Sequence, residues 1–241
     1  MLLSFIATGT IVIVGQNEPK IFPVHKGLLI RHASYFHGAF NSKSSYVEAQ
    51  TGVLRLDQDD PKIFELFRNF IYTGKFYEDM KTDYSRQYIF DPLLHSKQIR
   101  FCNSSDITNE GSIGLSFKQL FDLYVFADMR GAEVVKDVIV HLVSDKVAEL
   151  ERIPVNLLAT LEDCPDTERR GVLSHLARII AMCADVNALS NYDENISQKR
   201  WVSISQEAQG CIRTITQWYS ANNRTHLKLT ACAFHGKDHE R

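Results

Sequence analysis

The sequence predicts an α+β fold, a small sheet capped by helices and followed by a helical C-terminal extension. Three observations carry that reading. Runs with strand character are confined to the early part of the chain. Asp60-Pro61 opens an apolar stripe at helical spacing. From Ser116 onward, the apolar patterns that can be assigned all have helical spacing.

Ile11-Val-Ile-Val14 is a β-branched run closed by Gly15, and Ile21-Phe-Pro-Val24 resumes an extended pattern after the turn residues Gln16 to Lys20. Together they predict a hairpin. Pro23 has no N–H for a ladder, so it favours an edge position or a strand end. From His25 to Phe40 the spacing of Leu29, Phe36 and Phe40 suits one or two short helices interrupted near Ser34. Val53-Leu-Arg-Leu56 alternates as a short half-buried strand. Asp60 is placed as an N-cap with proline at the first helical position. Ile63, Phe64, Phe67, Phe70 and Ile71 form the stripe, and Gly74 is placed to end that helix in a left-handed conformation.

Residues 77–114 break the pattern and read as a long polar surface loop or partly disordered insertion. A small hairpin of their own around Tyr88 to Phe101 is the alternative. Ser116-Phe-Lys-Gln119 is a capping box, with Phe117, Leu120, Phe121 and Tyr124 inward and Gly131 as the stop. Val134, Val135, Val138, Ile139, Leu142 and Val143 give the next stripe. Pro154 is expected to open a short helix carrying Leu157, Leu158 and Leu161. Asp166 or Thr167 would cap another, with Val172, Leu173, Leu176, Ile179, Ile180 and Cys183 inward. The divisions are a first domain over 1–150 containing the insertion, a helical extension over 151–190, and a tail over 191–241 without an assigned structure.

The 241 residues carry a net charge of -2, with 44% hydrophobic and 23% charged residues, ordinary for a globular protein. Nothing in that balance directs the chain to nucleic acid or anionic membrane, and neither is expected as a partner. No apolar run approaches the roughly 20 residues that span a bilayer. The apolar start, Met1 to Ala7, lacks the basic flank of a signal peptide and continues into the first strand. Five widely spaced cysteines without a Cys-x-x-Cys pair suggest buried thiols in a reducing compartment, hence cytoplasm or nucleus.

Three blocks in order resemble the BTB/POZ signature: Val14-Gly15 with Phe22-Pro-Val-His25-Lys26-Gly-Leu-Leu29, then Ser34-Tyr-Phe36, then Asp57-Gln-Asp-Asp-Pro61 through Phe70-Ile-Tyr-Thr-Gly74. The resemblance runs from about Ile11 to Phe76 and resumes from Ser116 to about Val147. With its polar insertion the chain looks most like filamentous-fungal members. The resemblance implies a BTB/POZ fold in which Phe36 and Tyr72 fill the core and the His25-Lys26 segment opens a helix packed on the sheet. His25 itself reads as a helix-start or core histidine rather than a ligand or general base.

The implied function is a protein–protein interaction module that acts as substrate adaptor for a cullin-RING ubiquitin ligase. Cullin-binding members carry a hydrophobic-x-Glu motif before the third strand, and Tyr46-Val47-Glu48 stands at that place. A hydrophobic anchor beside one charge suits an interface hot spot. The competing reading leaves Glu48 in a solvated loop. The other function weighed is a transcription-associated scaffold acting through partner proteins, without DNA contact of its own. The family's acidic residue ahead of the first strand is replaced by Thr10, and only nine residues precede it. A strand-swapped homodimer is therefore less expected than a different partner.

Walker, Gly-x-Gly-x-x-Gly, His-Glu-x-x-His and Gly-x-Ser-x-Gly motifs are absent from the sequence, and no enzymatic activity or resident cofactor is expected. The remaining constellation is Cys211, Cys232, His235 and His239, with His226 nearby. Cys232-x-x-His235-x-x-x-His239 gives close ligand spacing, and Cys211 would complete a tetrahedral zinc set. A plain, metal-free tail is the alternative.

Overall fold

The computed structural model describes residues 9–40, 46–80, 100–102 and 111–154. They divide into two compact units: the described residues of 1–82 and 122–139 form the first, those of 83–121 and 140–241 the second.

In the first unit β1 (Gly9–Val14) and β2 (Lys20–His25) form the expected antiparallel hairpin, with Ile11 opposite Pro23 and Ile13 opposite Ile21. A third strand, β3 (Val53–Leu56), runs parallel to β1 on its other side, so the order is β2-β1-β3. Pro23 thus sits on an edge strand, where its missing N–H costs no ladder bond. One face of the sheet is core: Val12, Val14, Phe22, Val24, Leu54 and Leu56 are all buried.

Two short helices follow the hairpin, α1 (Lys26–His32) and α2 (Ser34–Ala39), separated by extended Ala33. Neither has a side-chain cap. After the five-residue α3 (Val47–Thr51) and β3 comes α4 (Pro61–Thr73). Asp60 accepts from the Lys62 N–H at 2.7 Å with Pro61 at the first turn, and Gly74 closes the helix at φ 74°. All five residues of the predicted stripe are buried.

The core is aromatic. Phe22 meets Phe64 at 5.0 Å between centroids, and Phe67 lies 6.1 Å from Phe36. Phe126 of α5 (Phe117–Met129) completes the cluster, 5.2 Å from Phe67. Two side chains expected inward face outward in this unit. Tyr72 is 45% exposed rather than part of the core. It sits near the end of α4, where its hydroxyl accepts from the His25 N–H at 2.9 Å and meets His25 Nδ1 at 2.7 Å. Val134, on the first turn of α6 (Glu133–Leu150), is 59% exposed rather than inward.

The C-terminal end of α5 organises this unit. The Gly131 N–H donates to the Asp128 carbonyl and the Ala132 N–H to that of Ala127, a Schellman closure that needs the left-handed φ of 61°. A Cβ at Gly131 would meet Ser34 Oγ, which would have to turn aside. The carbonyls of Arg130 and Gly131 then accept from Tyr35 and Ser34 at 3.1 and 3.3 Å. The first N–H groups of α2 are thereby satisfied by another helix's end, which explains why α2 needs no capping side chain. Arg130 also pairs with Asp59 at 2.5 Å, in the turn between β3 and α4.

In the second unit the capping box forms as expected. Ser116 N–H donates to Gln119 Oε1 at 2.9 Å, and Gln119 N–H to Ser116 Oγ at 3.2 Å. Two short strands, β4 (Arg100–Cys102) and β5 (Arg152–Pro154), pair in parallel. Both correct the sequence reading. β4 lies inside the segment read as a loop, and Cys102 and Ile113 of that segment are buried. Pro154 ends a strand rather than opening a helix. The α6 helix stops because Glu151 takes φ 52°, a conformation that the sequence would assign to glycine.

Lys146 of α6 is fully buried, with Nζ 3.3 Å from the Ile113 carbonyl and 5.7 Å from the Phe117 ring centroid. Burial holds its amine below the ordinary lysine value of 10.5, against an opposing pull from Glu149. Because the folded-state pKa is lowered, the unfolded chain binds the proton more tightly. Stability therefore rises with pH between the folded value and about 10.5. Lys146→Met is expected to lack that rise, so urea unfolding at pH 7 and pH 10 should show the natural chain gaining on the variant. Parallel behaviour of the two chains would contradict the assignment.

Candidate interaction surface

Tyr46 and Glu48 stand at the start of one short surface helix. Tyr46 is the residue ahead of α3, in extended conformation with no side-chain cap, and its side chain is 61% exposed. Val47 beside it is 66% exposed, and α3 buries none of its residues. Glu48 lies in the first turn, half-buried, and its side chain makes no ion pair with another described residue. It therefore belongs to a helix rather than a loop, where a carboxylate also favours the helix dipole by about 0.3–1 kcal/mol.

What holds α3 in place is the residue that ends it. Gly52 takes φ 67° and donates its N–H to the Glu48 carbonyl at 3.0 Å, turning the chain directly into β3. Its own carbonyl accepts twice, from the Ile11 N–H at 3.1 Å and from Thr10 Oγ1 at 2.5 Å. Thr10 is therefore the second residue of β1 and is buried at 2% exposure, not a residue ahead of the strand. A hydroxyl here reaches the Gly52 carbonyl as a donor, which an ionised carboxylate cannot do.

Other candidates are placed as follows. His25 is an exposed residue at the start of α1, held by Tyr72, as a helix-start histidine would be. Cys102 is buried, as expected of a thiol in this chain. Cys211, His226, Cys232, His235 and His239 lie outside the described residues, as do the helices expected beyond Pro154. Among the described residues no group of three or more His, Cys, Asp or Glu side chains is arranged to hold a metal ion. Among them, too, no helix is long and apolar enough to cross a membrane.

Sequence reasoning missed the outward face of the sheet. Ile11 is 43% exposed and Ile21 66% exposed, with Pro23 exposed as well. The signal was present: Ile11-Val-Ile-Val14 is apolar at both parities, so a sheet covered on one side must leave half of it outward.

A small helix-capped sheet that presents an exposed helical turn and an apolar outer face defines a docking module. The BTB/POZ domain family model matches residues 7–104 of the chain. Domains of this family are protein–protein interaction modules that bind partners and dimerise, and the family is not a catalytic one. The match contains the three-stranded sheet and α1–α4, while α5 and α6 lie beyond it. No curated protein matches the chain.

Proposed function

We propose that the BTB/POZ domain is a substrate adaptor for a cullin-RING ubiquitin ligase, working in the cytoplasm or nucleus and docking the helical N-terminal region of the cullin through Tyr46 and Glu48. The observation that carries this reading is the exposure of Tyr46 and Val47 ahead of Glu48 on a helix that buries nothing. Tyrosine is among the residue types enriched at interface hot spots, and Glu48 places one charge beside it. The Gly52 turn anchors that helix to the central strand, which limits the ordering cost of binding.

Tyr46→Ala and Glu48→Lys are each expected to weaken binding to a purified cullin N-terminal region by about 1–3 kcal/mol, read by calorimetry. Unfolding midpoints of both variants separate lost contact from lost helix. Binding that is undetectable in the natural chain, or indifferent to both changes, would remove the adaptor role while leaving the domain assignment intact.

A further inference from the structure

The outer face of the sheet is built in two adjoining rows. Pro23, Ile11 and Val53 lie side by side in one, and Ile21, Ile13 and Arg55 in the next. All six stand on the side away from the aromatic core, and all are exposed or half-buried. A sheet with one solvated face ordinarily turns polar residues outward. Here five of the six are apolar, and contiguous patches of that kind mark interaction sites. Arg55 is the one charged side chain in the two rows, and among the described residues it has no carboxylate partner.

We propose that this face is a second docking surface, separate from Tyr46 and Glu48, and that its occupant is an aliphatic segment of a partner protein carrying an Asp or Glu side chain for Arg55. The aliphatic part follows from the five apolar positions, which a polar segment would desolvate without return. The acid follows from the guanidinium, whose planar fork pairs with a carboxylate through two parallel hydrogen bonds. A second copy of the chain fits less well, because the two rows contain no carboxylate. Face-to-face copies would bring two Arg55 side chains to the interface with no acid from either.

A random peptide library displayed on phage, selected on the full chain and counter-selected on Ile21→Asp, tests the proposal. Enriched peptides should combine Leu, Ile, Val or Phe with Asp or Glu. A synthetic copy of the most enriched one should move the amide resonances of β1, β2 and β3. Its affinity should fall at least about tenfold on Arg55→Glu, the size expected for a charge-assisted pair. Exchanging its acid for lysine should restore binding to that variant, and Tyr46→Ala should leave binding unchanged. Ile21 and Arg55 are both exposed, so the substitutions leave the core intact, and unfolding midpoints verify this. No enrichment over the counter-selection, equal affinity for the natural and Arg55→Glu chains, or a dimer of the natural chain that Ile21→Asp dissolves would each overturn the proposal.

Discussion

Phe67→Ala is expected to lower the unfolding free energy by about 3–5 kcal/mol, the range for removing a large aromatic from a packed core. Phe67 is fully buried, and its ring is met by Phe36, Phe64 and Phe126 at 6.1, 6.2 and 5.2 Å. Those three belong to α2, α4 and α5, so the lost side chain touches three elements at once. Partial collapse around the void is hard when its walls are rings fixed by separate helices, which places the cost toward the upper end. A domain at the low end of ordinary stability, about 5 kcal/mol, would retain little of it. Urea unfolding followed by circular dichroism measures the loss. A change under about 1.5 kcal/mol, as for a volume-conserving swap, would mean that the aromatic cluster is not the centre of this unit.

The second large effect belongs to Arg130→Met, expected to cost about 3 kcal/mol near neutral pH because it leaves a buried carboxylate without its partner. Side-chain exposure is 14% for Arg130 and 7% for Asp59, so water replaces little of the lost pairing. The guanidinium also lies 4.6 Å from the Tyr35 ring centroid and 5.4 Å from that of Phe126, contacts which methionine keeps only as packing. Burial pushes the Asp59 carboxyl above its ordinary value of 3.8, and the charge and hydrogen bond of Arg130 pull it back. Without Arg130 the folded-state pKa rises further, so the folded variant binds a proton more tightly than its unfolded chain. Its stability then falls as pH climbs above about 3.8, and the deficit against the natural chain shrinks on acidification. Unfolding at pH 7 and pH 4.5 tests both magnitude and sign. Asp59→Asn combined with Arg130→Met should recover part of the loss, since no buried charge remains.

Most of the first unit was legible because its signals are local. Asp60-Pro61 and Gly131 each act within one helical turn and are used as read, and so is the Ser116–Gln119 capping box of the second unit. Alternation in Val53 to Leu56 was likewise sufficient to place a strand. What escaped depends on distant residues. The strands β4 and β5 are three residues each and meet only across the chain that holds α5 and α6, too short for a period to show. The family likeness implies an inward Tyr72, whereas the position of β2 turns its hydroxyl to His25. The helix α3 is a mixed case. The order Tyr46-Val47-Glu48 was visible, but its exposure and its Gly52 anchor follow from where β1 happens to run.

That anchor also makes α3 a mechanical lever. Force applied to α3 by a bound protein is transmitted through the Gly52 carbonyl to the amide of Ile11 and the hydroxyl of Thr10, and so reaches the middle strand before any edge. Solvent exchange at the Ile11 amide should therefore slow when a protein occupies α3, giving a spectroscopic gauge of occupancy at a residue the visitor never touches.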